Sequence, residues 1–200
     1  GGGMVMKPEP FFTAVEGVAG DPPECPVILM SPQGSLLTFQ KAKELSQLPR
    51  LVILCGRYEG VDERVVKHLV TEEISIGDYV LSGGELPALV LIEALTRLLP
   101  GALGDPEGAQ DDSFASGVLE YPHFTRPAEY RGWKVPDVLL NGNHKEINRW
   151  RRKLALKRTL LKRPDLIDAA ALDKEDIKLL IELSNEIQIP AELMKIIKGK

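Results

Sequence analysis

Two cysteines in 200 residues, Cys25 and Cys55, make neither a disulfide framework nor a cysteine metal cluster. Cys55 closes an apolar run and reads as a small core residue. No apolar run reaches the roughly 18 residues that a membrane span needs. No basic segment followed by an apolar one opens the sequence in the manner of a secretion signal. Internal repeats and low-complexity tracts are missing, as are the G-x-G-x-x-G spacing of dinucleotide folds and the Lys-Ser/Thr ending of a phosphate loop. What remains is a globular chain with 44% hydrophobic residues, long enough for one large domain or two small ones. The expectation is a soluble, reduced, cytoplasmic protein.

Two glycine-bearing turns stand out. Cys55-Gly56-Arg57-Tyr58-Glu59-Gly60 follows the apolar run Leu51 to Leu54, and the second turn lies within Ser75-Ile76-Gly77-Asp78-Tyr79-Val80-Leu81-Ser82-Gly83-Gly84-Glu85-Leu86-Pro87. Glycine at the end of a buried strand lets a ligand lie against bare backbone. The pair therefore suggests a nucleotide-like ligand held in an unusual way.

Charge is unevenly placed. The net charge is −4, yet nine Lys and Arg residues and a single acid, Glu146, fall between His144 and Arg163. Such a stripe is either a polyanion footprint or a solvated helix face.

Along the chain, Val27 to Met30 reads as a short buried strand that ends in a turn at Ser31-Pro32-Gln33-Gly34. Phe39 to Leu48 has helical spacing, Leu51 to Cys55 is a second strand, and Val61 to Val70 a helix. Glu73 to Leu81 is extended, and Glu85 to Leu99 reads as a strongly amphipathic helix ending at Pro100-Gly101. Alternating strands and helices give an α/β domain with a mainly parallel sheet. The polar stretch Gly104 to Ser113 is a linker or mobile loop. Beyond it lie three helices, Asn143 to Leu161, Lys174 to Ile187 and Ala191 to Ile197. Asn141-Gly142-Asn143 supplies a turn and an N-cap for the first.

Several of these segments occur together in one family. Gly56-Arg57-Tyr58-Glu59-Gly60-Val61-Asp62-Glu63-Arg64, the run Ser75 to Pro87, Asp112-Ser113-Phe114, Pro122-His123-Phe124-Thr125-Arg126-Pro127 and Val138-Leu139-Leu140-Asn141-Gly142-Asn143-His144 resemble, in order, the bacterial tRNA (guanine-N1)-methyltransferases. Met4 to Pro10 looks like another segment of that family, and the resemblance runs to about residue 170. It implies a SPOUT-class fold, an α/β domain with a parallel sheet and a deep trefoil knot, followed by a small, mostly α-helical C-terminal domain. The corresponding divisions are a methyltransferase domain over 1–103, a flexible linker over 104–116 and a helical tRNA-binding domain over 117–200. Members of the family begin with a further strand and helix ahead of the glycines seen at Gly1 to Gly3. Those elements would supply part of the sheet and of the guanosine pocket, so the chain is read as lacking them, and as inactive alone if they are truly absent.

The resemblance implies S-adenosylmethionine as cofactor, bent in a site made of Ser31, Pro32, Gln33, Gly56, Glu59, Ile76, Gly77, Asp78, Tyr79, Val80, Leu81, Gly83 and Gly84. It implies methylation of the guanosine just 3′ of the tRNA anticodon by a homodimer whose active site lies at the subunit interface. Asp112 matches the family's general base and Arg97 the arginine that meets guanine O6. Ser113, Arg149, Arg151, Arg152, Lys153 and Lys157 are the candidate RNA contacts, and Trp150 among them is either a base-stacking residue or a core anchor. The family is associated with magnesium, yet no metal ligands can be assigned, since His123 and His144 have no cysteine or paired acid at ligand spacing. Two other readings stay open: a SPOUT enzyme acting on ribose 2′-OH or another base, and a non-catalytic RNA- or cofactor-binding fragment. Retention of both Asp112 and Arg97 speaks against the second.

Overall fold

The computed structural model describes residues 3–104, 112–168 and 171–199. The chain divides into two compact units, Gly1–Pro106 and Glu107–Lys200.

The first unit is a three-layer sandwich. Its elements are α1 (Pro8–Ala19), β1 (Val27–Leu36), α2 (Phe39–Leu45), β2 (Val52–Cys55), α3 (Glu63–His68), β3 (Glu72–Ser75) and α4 (Glu85–Thr96). The strands form a parallel sheet of order β2-β1-β3, with Val27 to Met30 of β1 in register with Val52 to Cys55 of β2. The apolar run Val27 to Met30 is continuous because both faces of the central strand are covered. Val27 and Leu29 pack with Val15, Ala19, Leu54, Val65 and Leu69 on the side of α1 and α3. Ile28 and Met30 pack with Leu45, Ile74, Ala88 and Leu91 on the side of α2 and α4.

Several expectations change. Ser31-Pro32-Gln33-Gly34 does not end β1 but lies inside it: the strand runs ten residues, and its register on β3 shifts between Met30 and Ser35. A bulge of this kind re-aims a strand at its functional end. Gly34 is required there by space, because a Cβ would sit 2.3 Å from the Glu73 carbonyl carbon. The extended stretch from Glu73 shortens to β3, and residues 76–84 cross the end of the sheet instead. Helix α1 carries no sequence expectation; it opens on Pro8, and proline is tolerated in a first helical turn. The helices α2, α3 and α4 are each shorter than their spacing suggests. Nor is α4 amphipathic: Leu86, Leu89, Val90 and Ile92 are exposed while Ala88 and Leu91 are buried.

The second unit holds a two-stranded antiparallel hairpin, β4 (Glu129–Tyr130) and β5 (Trp133–Lys134), and three helices, α5 (His144–Lys162), α6 (Lys174–Leu183) and α7 (Ala191–Gly199). Asn143 caps α5 as its side chain accepts from the Glu146 amide. Asp173 and Asp176 form a reciprocal capping box at the start of α6. The core gathers Leu156 and Leu160 of α5, Leu179, Leu180 and Leu183 of α6, and Leu193 and Ile197 of α7. Buried Thr159 donates to the Ala155 carbonyl at 2.7 Å and accepts from the Leu119 amide at 2.8 Å, so its hydroxyl carries no desolvation penalty.

Gly34→Ala is expected to lower the stability of the chain by about 2 kcal/mol or more, since neither backbone can yield without breaking the β1–β3 pairing. The urea midpoint of parent and variant checks this; equal midpoints would mean that β1 does not approach β3 so closely.

Candidate functional site: a cleft at the ends of the parallel strands

In a parallel sheet ligands bind beyond the carboxyl ends of the strands. Here three segments meet at that edge: Ser31 to Gln33 from β1, Gly56 to Gly60 after β2, and Ile76 to Gly84 after β3. Together they line a cleft of about 290 Å³, near the lower limit for small-molecule pockets.

The cleft exists because the chain leaving β3 returns to the end of β2. Gly83 bridges Arg57 in antiparallel fashion, and the Gly84 amide donates to the Gly56 carbonyl at 2.8 Å. A Cβ on Gly84 would lie 2.7 Å from Cys55 Cα, so glycine is obligatory there. Within the returning segment, the Ser75 hydroxyl accepts from the Gly77 amide at 3.1 Å, and the Tyr79 hydroxyl donates to the Ile76 carbonyl at 3.2 Å. The Tyr79 ring thereby folds over Gly77, whose φ is 149° and whose Cβ, if present, would meet that ring at 2.5 Å. The other turn is held from outside. The Met6 amide donates to the Gly60 carbonyl at 2.9 Å and the Glu59 amide to the Met4 carbonyl at 3.0 Å. This gives the segment around Met4 a role: it pins the Gly56–Gly60 turn.

Of the thirteen sequence-derived cofactor residues, twelve line this one cleft; Asp78 is the exception, exposed and outside the lining. Sequence reasoning passed over Arg57 and Glu85. Arg57 Nε donates to Glu85 Oε1 at 3.1 Å, tying the β2 turn to the first residue of α4. The Glu85 carboxyl is held below its ordinary pKa, first by its own backbone amide and then by Arg57. Burial, followed by the charge of Glu85, raises the neighbouring Cys55 thiol. The signal for Arg57 and Glu85 was an opposite-charge pair placed at the two glycine motifs. Pro87, in the first turn of α4, also lines the cleft.

Arg97 forms the C-cap of α4 in the first unit, its amide donating to the Glu93 carbonyl. Asp112 belongs to the second unit, and its carbonyl accepts from the Ala115 amide at 3.2 Å. Most of the linker read from sequence, residues 105–111, lies outside the described residues. From Asp112 onward the chain makes a hydrogen-bonded turn. The Phe114 amide donates to the Val118 carbonyl at 2.9 Å, and the Ser113 hydroxyl accepts from the Glu120 amide at 3.1 Å.

The basic stripe on α5 is largely answered within the protein. Arg152 grips buried Asp176 through two hydrogen bonds of 2.7 and 2.9 Å. Arg149 pairs with Glu175 and Glu182, Lys153 with Glu182 and Glu186, and Lys157 with Glu186. The Arg151 guanidinium lies 4.9 Å from the centroid of the Tyr121 ring. Four of the five α5 cations named from sequence as RNA contacts are thus committed to acids of α6 or to Glu186 just beyond it, which a charge count along α5 alone does not reveal. Trp150 is half-buried, its ring 6.2 Å from that of Phe124. His123 pairs with Glu120 at 2.7 Å. Among the described residues no group of three or more His, Cys, Asp or Glu could hold a metal ion. Among them, too, no helix is long and apolar enough to cross a membrane.

Comparison with known proteins follows the same residues. The family described as tRNA (Guanine-1)-methyltransferase TrmD matches residues 1–169. A tRNA (guanine-N(1)-)-methyltransferase of Brevibacillus brevis is 59% identical over 186 residues, spanning 93% of this chain and 76% of the relative. One of Dehalococcoides mccartyi strain CBDB1 is 57% identical over 187 residues, with 93% and 75% covered. One of Dictyoglomus turgidum is 55% identical over 188 residues, with 94% and 76% covered.

The ion pairs of α5 with α6 and with Glu186 beyond it predict an acid-labile contribution to stability. Lys153, then Lys157, lowers the Glu186 carboxyl from 4.5 to about 2, and Arg149 lowers Glu182. A carboxylate with a depressed folded pKa stabilises above its unfolded value and loses that contribution as the pH falls through the folded one. The thermal midpoint is therefore expected to fall between about pH 4.5 and 2, and Glu186→Gln to flatten part of that fall. Identical pH profiles for parent and variant would show that the network adds nothing.

Proposed function

The chain belongs to the tRNA (guanine-1)-methyltransferase family, and from that premise we propose that it transfers a methyl group from S-adenosylmethionine to N1 of the tRNA guanosine just 3′ of the anticodon, position 37. The observation that carries the reading is the convergence of both glycine turns and the Ser31–Gln33 segment on one cleft.

The lining fits a nucleoside that bears a positive charge. Backbone amides and carbonyls of the crossing turns are suited to the edge of an adenine, and Ile76 and Leu81 to its faces. Glu59 adds a carboxylate that can offset a sulfonium. Bound there, the cofactor supplies an electrophilic methyl with a good leaving group.

Guanine N1 carries a proton at neutral pH, so its lone pair is available only once that proton leaves. Asp112 accepts it as general base. The negative charge that then develops on O6 is met by the Arg97 guanidinium, which stays protonated and also orients Asp112. We assign Arg97 and Asp112 to facing subunits of a homodimer. The exposed aliphatic side chains of α4, Leu86, Leu89, Val90 and Ile92, support that assembly, since large apolar side chains exposed close together are characteristic of a protein contact. The deep trefoil knot of the SPOUT class is proposed from family membership, with the two glycine turns as its cofactor loops. The place of action is the cytoplasm, where tRNA is found.

Asp112→Ala is expected to lower methyl transfer by about 10²- to 10⁴-fold while cofactor affinity stays within about twofold of the parent. Labelled S-adenosylmethionine, incubated with tRNA transcripts that carry guanosine or adenosine at the site, checks both points. Equal labelling of the two transcripts, or parental turnover in the variant, would contradict the assignment.

A further inference from the structure

The hairpin β4–β5 presents a surface that the proposed chemistry does not use. Tyr130 and Trp133 are register partners, so their side chains share one face, with ring centroids 6.4 Å apart. Both are exposed, Trp133 to 70%. The two residues between them, Arg131 and Gly132, have φ of 54° and 83°, the two left-handed positions of a type I′ turn. Glycine and asparagine suit such positions, and arginine does not. The arginine placed there holds its guanidinium 5.2 Å from the centroid of the Tyr130 ring. Strain at an exposed turn that displays a cation over an aromatic ring points to a ligand rather than to folding.

The chemistry of the face selects the partner. The exposed side chains of α4 are aliphatic apart from Thr96 and two acids, Glu85 and Glu93, whereas the hairpin is aromatic and carries Arg131 and Lys134. Arg131 and, three residues before Glu129, Arg126 enter no ion pair among the described residues, while Lys134 has only a cross-strand contact of 3.8 Å with Glu129. Four α5 cations, Arg149, Arg152, Lys153 and Lys157, are in contrast matched by acids of α6 or by Glu186 just beyond it. Planar rings beside an available guanidinium suit an unstacked nucleobase with its phosphate.

We propose that the β4–β5 hairpin is a stacking platform for an unpaired base of the tRNA, with Trp133 and Tyr130 receiving the base and Arg131 the adjoining phosphate. The proposal rests on tRNA being the substrate. It makes the hairpin, rather than the basic stripe of α5, the principal RNA contact of the second unit.

The test uses the full chain with Trp133→Ala and Trp133→Phe, and reads tRNA affinity by filter retention, S-adenosylmethionine affinity by calorimetry and mass by sedimentation. Loss of one base–aromatic stack weakens binding by about 5- to 150-fold. The expected result is a loss in that range for Trp133→Ala, near-parental affinity for Trp133→Phe, and unchanged cofactor affinity and mass for both. In a Trp150→Phe background, Trp133 is the remaining tryptophan, and its fluorescence is expected to be quenched on adding tRNA. Parental tRNA affinity in Trp133→Ala, or a halved mass that would make the hairpin a subunit contact, overturns the proposal and leaves the methyltransferase reading intact. A parent chain that neither retains nor methylates tRNA overturns the substrate reading itself, and this proposal with it.

Discussion

The approach of Gly84 to the end of β2 is the constraint on which the first unit depends. At that point two backbone segments touch with no room for a methyl group, and the Gly84 amide closes on the Gly56 carbonyl. The contact brings the two glycine turns together and starts α4 at the mouth of the cleft. Arg57 and Glu85 tie it from the side. A sheet whose third strand simply led outward into a helix would have no roof over the carboxyl end of its central strand. The same economy recurs at Gly34, where a close backbone approach takes the place of side-chain packing. Both are cases in which glycine is needed for space and not for an unusual backbone angle.

The two units use charge differently. In the first, acids and bases are few at the cleft, and the lining is mostly backbone and aliphatic side chain, which suits a small ligand recognised by hydrogen bonds to the main chain. In the second, a long basic helix is held against an acidic one, and the pairs between them fix two helices whose apolar faces make the core. Most of these pairs are exposed and individually weak. Arg152 with Asp176 is different, because Asp176 is buried, and removing either partner would strand the other. Positive charge along one helix is therefore a statement about its neighbour before it is one about an external polyanion.

Much of the architecture was legible because local and tertiary preferences agree. The buried runs at Val27 to Met30 and Val52 to Cys55 became parallel strands, and Asn143 capped its helix. The cofactor segments, quoted as motifs, converge on one cleft, with Asp78 as the exception. The illegible parts have physical reasons. Ser31-Pro32-Gln33-Gly34 has the composition of a turn, but its path is set by the backbone of β3 against Gly34, a non-local contact. Helix α1 begins at prolines that mark an end in most contexts and a beginning in this one. The apolar spacing of α4 could not distinguish a face turned to the sheet from a face left exposed. The ion pairs of α5 connect residues more than twenty positions apart, beyond the reach of any pattern along a single helix.

The central claim is that the glycine-lined cleft holds the methyl donor. Amide hydrogen exchange, resolved by segment and recorded with and without S-adenosylmethionine, tests it most directly. The account predicts slower exchange at Gly56–Gly60 and across residues 76–84, with the helices of the second unit unchanged. Protection confined to the second unit, or no change in either glycine turn at a saturating cofactor concentration, would contradict it.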